Sequence, residues 1–145
     1  MADATLLGGI IGVAANLDAI GLKALKSFGL GQSEHDVLAC ARRQGTPYVV
    51  TPARLLEEVR ITSGALTSCI NRLIKKKLVK RVQADNDQRS KPIVLTSKGK
   101  TLIDDITTHR FTLAQSLLSG FSDAEKAALK SMLLKLGQSA YANGD

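Results

Sequence analysis

Apolar residues at Leu6, Leu7, Ile10, Ile11, Ala14, Leu17, Ile20 and Leu25 recur at helical spacing, which predicts one long amphipathic helix closing near Phe28-Gly29. Ser33 with Asp36 three residues later has the form of a capping box, and Val37, Leu38 and Ala41 give a second helix an apolar face that ends near Gly45. Thr46-Pro47-Tyr48 reads as a loop. Thr51 as N-cap with Pro52 at the first helical position starts a short third helix, carrying Leu55, Leu56 and Val59 and stopping by Arg60. Thr62 then caps a fourth helix over residues 63–76. Its buried stripe is Leu66, Cys69, Ile70 and Leu73, and its opposite face is small and polar. Residues 78–82 and 93–96 alternate as two short strands, joined by a polar connection rich in turn formers over residues 84–92. From Thr96, another N-cap, a helix spanning roughly 35 Å carries Leu102, Ile103, Ile106, Leu113, Leu117 and Leu118. Ser122-Asp123-Ala124-Glu125 is a capping box opening a last helix with Leu129, Met132, Leu133 and Leu136 on one face.

The resulting fold class is mainly α with a small β-hairpin. Residues 30–96 form a winged helix-turn-helix lobe, and residues 1–29 and 97–142 form a helical region, all within a single domain. A chain of this size has little else to cover three apolar helices. The expectation is therefore that the first and the last two pack with a second copy as an isologous dimer, the alternative being packing on one another within one chain. The opening apolar run has no basic stretch before it, Asp3 being its only early charge, so it does not read as a signal peptide. Asn16, Asp18 and glycines at 8, 9 and 12 argue against a membrane span; the run is expected to be a helix buried against protein, with no membrane partner.

Composition sharpens this picture. With 145 residues, 44% of them hydrophobic, the chain can form a real core, which excludes a disordered segment. The formal charge is +7. Residues 51–100 hold twelve of the basic side chains against four acidic ones; the rest of the chain carries eight against nine, so the whole excess sits in the middle. Such concentration fits a polyanion partner better than a merely solvated surface. Aromatics are only 3% and Trp is absent, which argues against a stacking platform for single strands. Cys40 and Cys69 supply neither a disulfide framework nor a zinc cage, and the expected setting is reducing and cytoplasmic.

Each part of a winged helix-turn-helix has a task on duplex DNA. The fourth helix enters the major groove: Ser63, Thr67 and Ser68 are small enough for close approach, while Asn71 and Arg72, with Lys75 on the same face, offer donors to purine edges or phosphates. Lys76, Lys77, Lys80 and Arg81 lie where flanking phosphates would run, and Thr51 joins this backbone-contacting group. In the wing, Asp87 stands two residues from Arg89, with Lys91 beyond. The carboxylate is expected to orient the guanidinium for the narrow minor groove.

The motifs Gly45-Thr46-Pro47-Tyr48, Thr51-Pro52, Ser63-Gly64-Ala65-Leu66-Thr67, Asn71-Arg72-Leu73, Leu78-Val79-Lys80-Arg81, Asp87-Gln88-Arg89 and Val94-Leu95-Thr96-Ser97-Lys98-Gly99 stand in one order. In that order and spacing the chain resembles the MarR family of bacterial regulators. The resemblance implies a homodimeric winged-helix repressor of a pseudo-palindromic operator, often released by a small aromatic or phenolic ligand. Two positions depart from the family pattern. Many members carry a basic residue where Ser68 stands, and a glycine usually closes the fourth helix where Lys77 stands, which implies a left-handed residue with a Cβ.

Cys40 and Cys69 fall on apolar helical stripes, so they are expected to be inert rather than redox sensors. His35 and His109 have no partner at metal-ligand spacing, and no metal or other cofactor is expected. No glycine-rich phosphate loop, nucleophile elbow or paired carboxylate suggests an enzyme. The competing class is a winged-helix module that coats DNA without sequence choice or assembles proteins. The sequence does not locate an effector pocket.

Overall fold

The computed structural model describes residues 1–82 and 91–142. The chain divides into two compact units, residues 1–107 and 108–145. The elements run α1 (Ala2–Ser27), α2 (Gln32–Arg43), β1 (Val49–Val50), α3 (Pro52–Glu58), α4 (Ser63–Lys75), β2 (Val79–Arg81), β3 (Ile93–Leu95), α5 (Ser97–Leu117) and α6 (Asp123–Ala142).

Helix ends in the first unit follow from local chemistry. Gly29 adopts φ +72°, its N–H bonds Lys26 O, and the N–H of Leu30 bonds Leu25 O, a Schellman closure of α1 with both leucines buried in the core. The expected capping box at Ser33 and Asp36 is not the one that forms. Because α1 turns off at Gly29, α2 starts two residues after Leu30, with Gly31 at the N-cap and Glu34 at the third helical position accepting from the Gly31 N–H at 2.9 Å. Thr51 and Thr62 cap α3 and α4 as expected, accepting from the backbone N–H groups of Arg54 and Ala65, each at 3.2 Å. Lys77 stands at φ +60°, and the N–H groups of Lys77 and Leu78 bond Ile74 O and Leu73 O. This is the same closure as at Gly29, built without glycine.

The sheet has three strands, not the two of a hairpin. β3 lies between β1 and β2, antiparallel to both, with Val50 opposite Ile93 on one side and Val79 opposite Leu95 on the other. Two residues of β1 are too few for alternation to announce a strand; pairing to β3 creates it. The core gathers Val37, Leu38 and Cys40 of α2, Leu55 of α3, Leu66, Cys69, Ile70 and Leu73 of α4, Ile93 of β3, and Ile103 and Ile106 of α5. Full burial of each large aliphatic stabilises the lobe by about 1.5–3 kcal/mol. Leu56, expected on the apolar face of α3, is 39% exposed.

Gly99 explains why the segment after β3 needs a glycine. A Cβ there would meet the carbonyl oxygen of Leu78 at 2.0 Å. Thr96 completes the junction: its Oγ accepts from Gly99 N and shares its proton between the carbonyls of Lys77 and Leu78.

In each of the two units a terminal helix keeps an exposed apolar face. Of α1 only Leu25 is buried, while Leu6, Leu7, Ile11, Val13 and Leu17 stay exposed. The other described elements of the first unit therefore leave most of α1 uncovered. By length and composition α1 is also sufficient to cross a membrane, Asn16 and Asp18 notwithstanding. In the second unit, α6 opens on the expected capping box, Ser122 N–H donating to Glu125 Oε2 at 2.8 Å and Glu125 N–H to Ser122 Oγ at 3.3 Å. α6 buries no residue, and Met132, Leu133 and Leu134 are exposed.

Candidate nucleic-acid interface

The face of α4 turned away from the core is set by helical spacing. Leu66, Cys69, Ile70 and Leu73 anchor one side, which leaves Ser63, Thr67, Ser68, Asn71, Arg72 and Lys75 exposed on the other. Thr67 turns its hydroxyl back to donate to Ser63 O at 3.0 Å, keeping its profile low. Thr51 is exposed at the start of α3, with its Oγ engaged as a cap. Beyond α4, Lys77 and Lys80 are exposed, and Arg81 and Lys91 are half-buried. Asp87 and Arg89 lie outside the described residues.

Lys76 behaves differently from its neighbours. Its ammonium donates to Glu34 Oε1 at 2.7 Å and to Gly29 O at 2.8 Å, so it turns back onto the α1–α2 corner instead of standing free among the cations. Glu34 is 5% exposed, and its Oε1 lies 3.7 Å from Arg72 Nε. Burial raises its pKa, but the hydrogen bonds from Lys76 and Gly31 and the charges of Lys76 and Arg72 outweigh that and hold it below the usual carboxylate range. Helical pattern alone cannot reveal this pairing, because 42 residues separate its members. Lys98, in the sequence only a member of the motif that ends at Gly99, joins this corner of the lobe. Its ammonium donates to Lys76 O at 3.1 Å, at the carbonyl end of α4 where a cation complements the helix dipole.

Two further networks brace the helix-turn-helix. Glu58 of α3 accepts from Arg43 of α2 at 2.8 Å and pairs with Arg54 Nε at 2.6 Å. Hydrogen bonds from Arg43 and the Cys40 thiol hold the Glu58 carboxyl down at about 2. Asp104 of α5 accepts from Arg42 of α2 at 2.7 Å and from Lys100 at 2.8 Å, and the Arg42 guanidinium lies 5.1 Å from the centre of the Tyr48 ring.

Between α3, α4 and β2 runs an open cleft of about 450 Å³, lined by Pro52, Leu56, Ser63, Thr67, Ile70 and Arg81 among others. It accounts for the exposure of Leu56. No sequence signal marks it, since its walls come from three elements. Both cysteines are fully buried, and burial pushes each thiol up to about 11. His35 is buried with Nδ1 2.9 Å from Asp36 Oδ1. Among the described residues, no three His, Cys, Asp or Glu side chains group as a metal site.

Known proteins resemble this chain in sequence and in fold. The family model described as MarR family matches residues 30–91. The HTH-type transcriptional regulator PecS of Dickeya dadantii (strain 3937) is 32% identical over 111 residues, covering 77% of this chain and 67% of PecS. A cysteine-to-serine mutant of MarR from E. coli, solved in complex with operator DNA, superposes with a TM-score of 0.70 at 25% identity, over 92% of this chain and 95% of that one. A MarR family protein from Bacillus stearothermophilus gives a TM-score of 0.76 at 25% identity, over 95% and 94% of the two chains. The sequence match to PecS and the shared winged helix lead to one conclusion: the chain belongs to the MarR family of transcriptional regulators.

Proposed function

We propose that this protein is a cytoplasmic, sequence-specific regulator that binds duplex DNA as a homodimer and represses from a pseudo-palindromic operator. The observation that carries the reading is the outer face of α4, where Ser63, Thr67, Ser68, Asn71, Arg72 and Lys75 are exposed together in the lobe that holds the chain's excess positive charge. In this reading Asn71 and Arg72 read base edges, with Ser68 contributing less than a basic residue would. Thr51, Lys75, Lys77, Lys80, Arg81 and Lys91 hold phosphates, and Asp87 orients Arg89 in the minor groove. E. coli MarR, which shares the fold, is known with operator DNA, and that supports the assignment.

The exposed apolar faces of α1 and of α6 lie within residues 1–29 and 97–142, the region we assign to dimerisation. A second copy, rather than a bilayer, is the occupant we assign to α1. Two recognition helices must then sit about one helical turn apart, roughly 34 Å, to enter successive major grooves. A small aromatic or phenolic effector that favours another spacing would release the operator.

The test is selection of bound duplexes from a random library, followed by salt titrations on the winner and on a scrambled duplex. An inverted repeat with half-sites one turn apart is expected. No enriched motif and equal salt slopes would instead identify an architectural coat.

A further inference from the structure

Glu34 carries a buried carboxylate, and it faces two cations, Arg72 of α4 and Lys76 at the C-cap of that helix. Its Oε1 accepts from Lys76 at 2.7 Å and lies 3.7 Å from Arg72 Nε, while its Oε2 accepts from the Gly31 N–H at 2.9 Å. Lys76 is fixed a second time, by Gly29 O at 2.8 Å. The corner between α1 and α2 thus reaches into the last turn of the helix that carries the proposed DNA-reading face.

Cations without a partner at such a place bind any phosphate, and phosphate contacts carry no sequence information. Here one carboxylate answers two cations. The ammonium of Lys76 is withdrawn, and the guanidinium of Arg72, 54% exposed, is drawn to Glu34 from its Nε side. That approach leaves the terminal nitrogens of the guanidinium fork for bidentate contact.

We infer that Glu34 is a positioning residue that determines specificity: it orients Arg72 on the DNA-reading face and takes Lys76 out of the phosphate-binding set. The inference rests on the DNA-binding reading above. A helix cap for α2 would not by itself require a charge, because a glutamine oxygen can accept from Gly31 equally well. The carboxylate is needed by the two cations.

The experiment compares wild type, Glu34→Gln and Lys76→Gln on the selected duplex and on a scrambled duplex, by fluorescence anisotropy over a range of salt. Glu34→Gln is expected to reduce the ratio of the two affinities roughly tenfold, the scale of one bidentate base contact. It should also steepen the scrambled-duplex salt slope by about 0.9 for each freed cation that reaches a phosphate. Lys76→Gln is expected to leave the slope on both duplexes unchanged. An unchanged ratio in Glu34→Gln overturns the inference, since a cap lost or kept would move both affinities together. A slope about 0.9 shallower in Lys76→Gln also overturns it, by showing that Lys76 contacts a phosphate; that arm decides the matter even if circular dichroism shows Glu34→Gln unfolded. Wild type that does not prefer the selected duplex removes the DNA-reading assignment and this inference together. A selective wild type with unaltered variants removes the inference alone.

Discussion

Replacing Gly99 by alanine sets two rules of protein structure against each other. Gly99 lies in the first turn of α5, where helix propensity favours alanine by up to about 1 kcal/mol. The added methyl carbon would stand 2.0 Å from the Leu78 carbonyl oxygen and 2.9 Å from its carbon, against an ordinary contact of 3.4–4 Å. Relief requires a shift of about 1 Å or more between α5 and the start of β2, and overpacking of this kind costs about 1–3 kcal/mol. Neither side can yield cheaply. The Leu78 N–H is held by Leu73 O at 3.0 Å, its carbonyl accepts from Thr96 N at 3.1 Å, and the Thr96 hydroxyl caps α5 through Gly99 N. Losing that cap adds about 1 kcal/mol. The net expectation is a destabilisation of about 2 kcal/mol, a large part of the 5–15 kcal/mol typical of a folded domain. Urea denaturation followed by far-ultraviolet circular dichroism measures it, at one fixed protein concentration because dimerisation would contribute. Gly64→Ala serves as the control, since nothing lies within 4 Å of its added carbon, and it should hold or gain stability. A Gly99→Ala midpoint equal to or above wild type, at unchanged m, would refute the packing argument.

Three other outcomes are expected. Lys77→Gly removes a left-handed residue that costs about 1–2 kcal/mol, less the roughly 0.5–1 kcal/mol entropic penalty of glycine, so the lobe should gain about 0.5–1 kcal/mol while binding to scrambled duplex weakens; lower stability would mean that this residue is not left-handed. With both thiols pushed up to about 11, only about one in a thousand is ionised at pH 8, so Cys40 and Cys69 should label slowly with a thiol reagent when folded and together when unfolded in urea. Rapid labelling of one cysteine in the native protein would contradict their burial. Glu58, held at about 2 when folded against an ordinary 4.5, contributes stability that is complete above 4.5 and lost as the pH falls toward 2. The gap in urea midpoint between wild type and Glu58→Gln should therefore close across that window, and a gap independent of pH would show that the pairing with Arg43 and Arg54 adds nothing.

Features that neighbouring residues control can be read along the chain. Thr51, Thr62, Thr96 and Ser122 cap helices because a side-chain oxygen needs to reach only three residues along the chain. The buried stripe of α4 follows from helical period, and so does the polar face opposite it. Lys77 is left-handed because the helix has to close before Leu78 can enter the core. The cap of α2 lies two residues before Ser33, where local pattern places it, since the start of α2 depends on how tightly α1 turns off at Gly29. Other features depend on long-range packing. β1 exists only against β3, Lys76 turns inward only because Glu34 lies opposite it, and the cleft beside α4 needs walls from three elements. Such pairings join residues tens of positions apart, and which partners meet is settled by how the helices pack. Within the first unit the described elements reach α1 at Leu25 and leave the apolar positions before it uncovered, so what covers them depends on tertiary or quaternary packing and cannot be read from helical period.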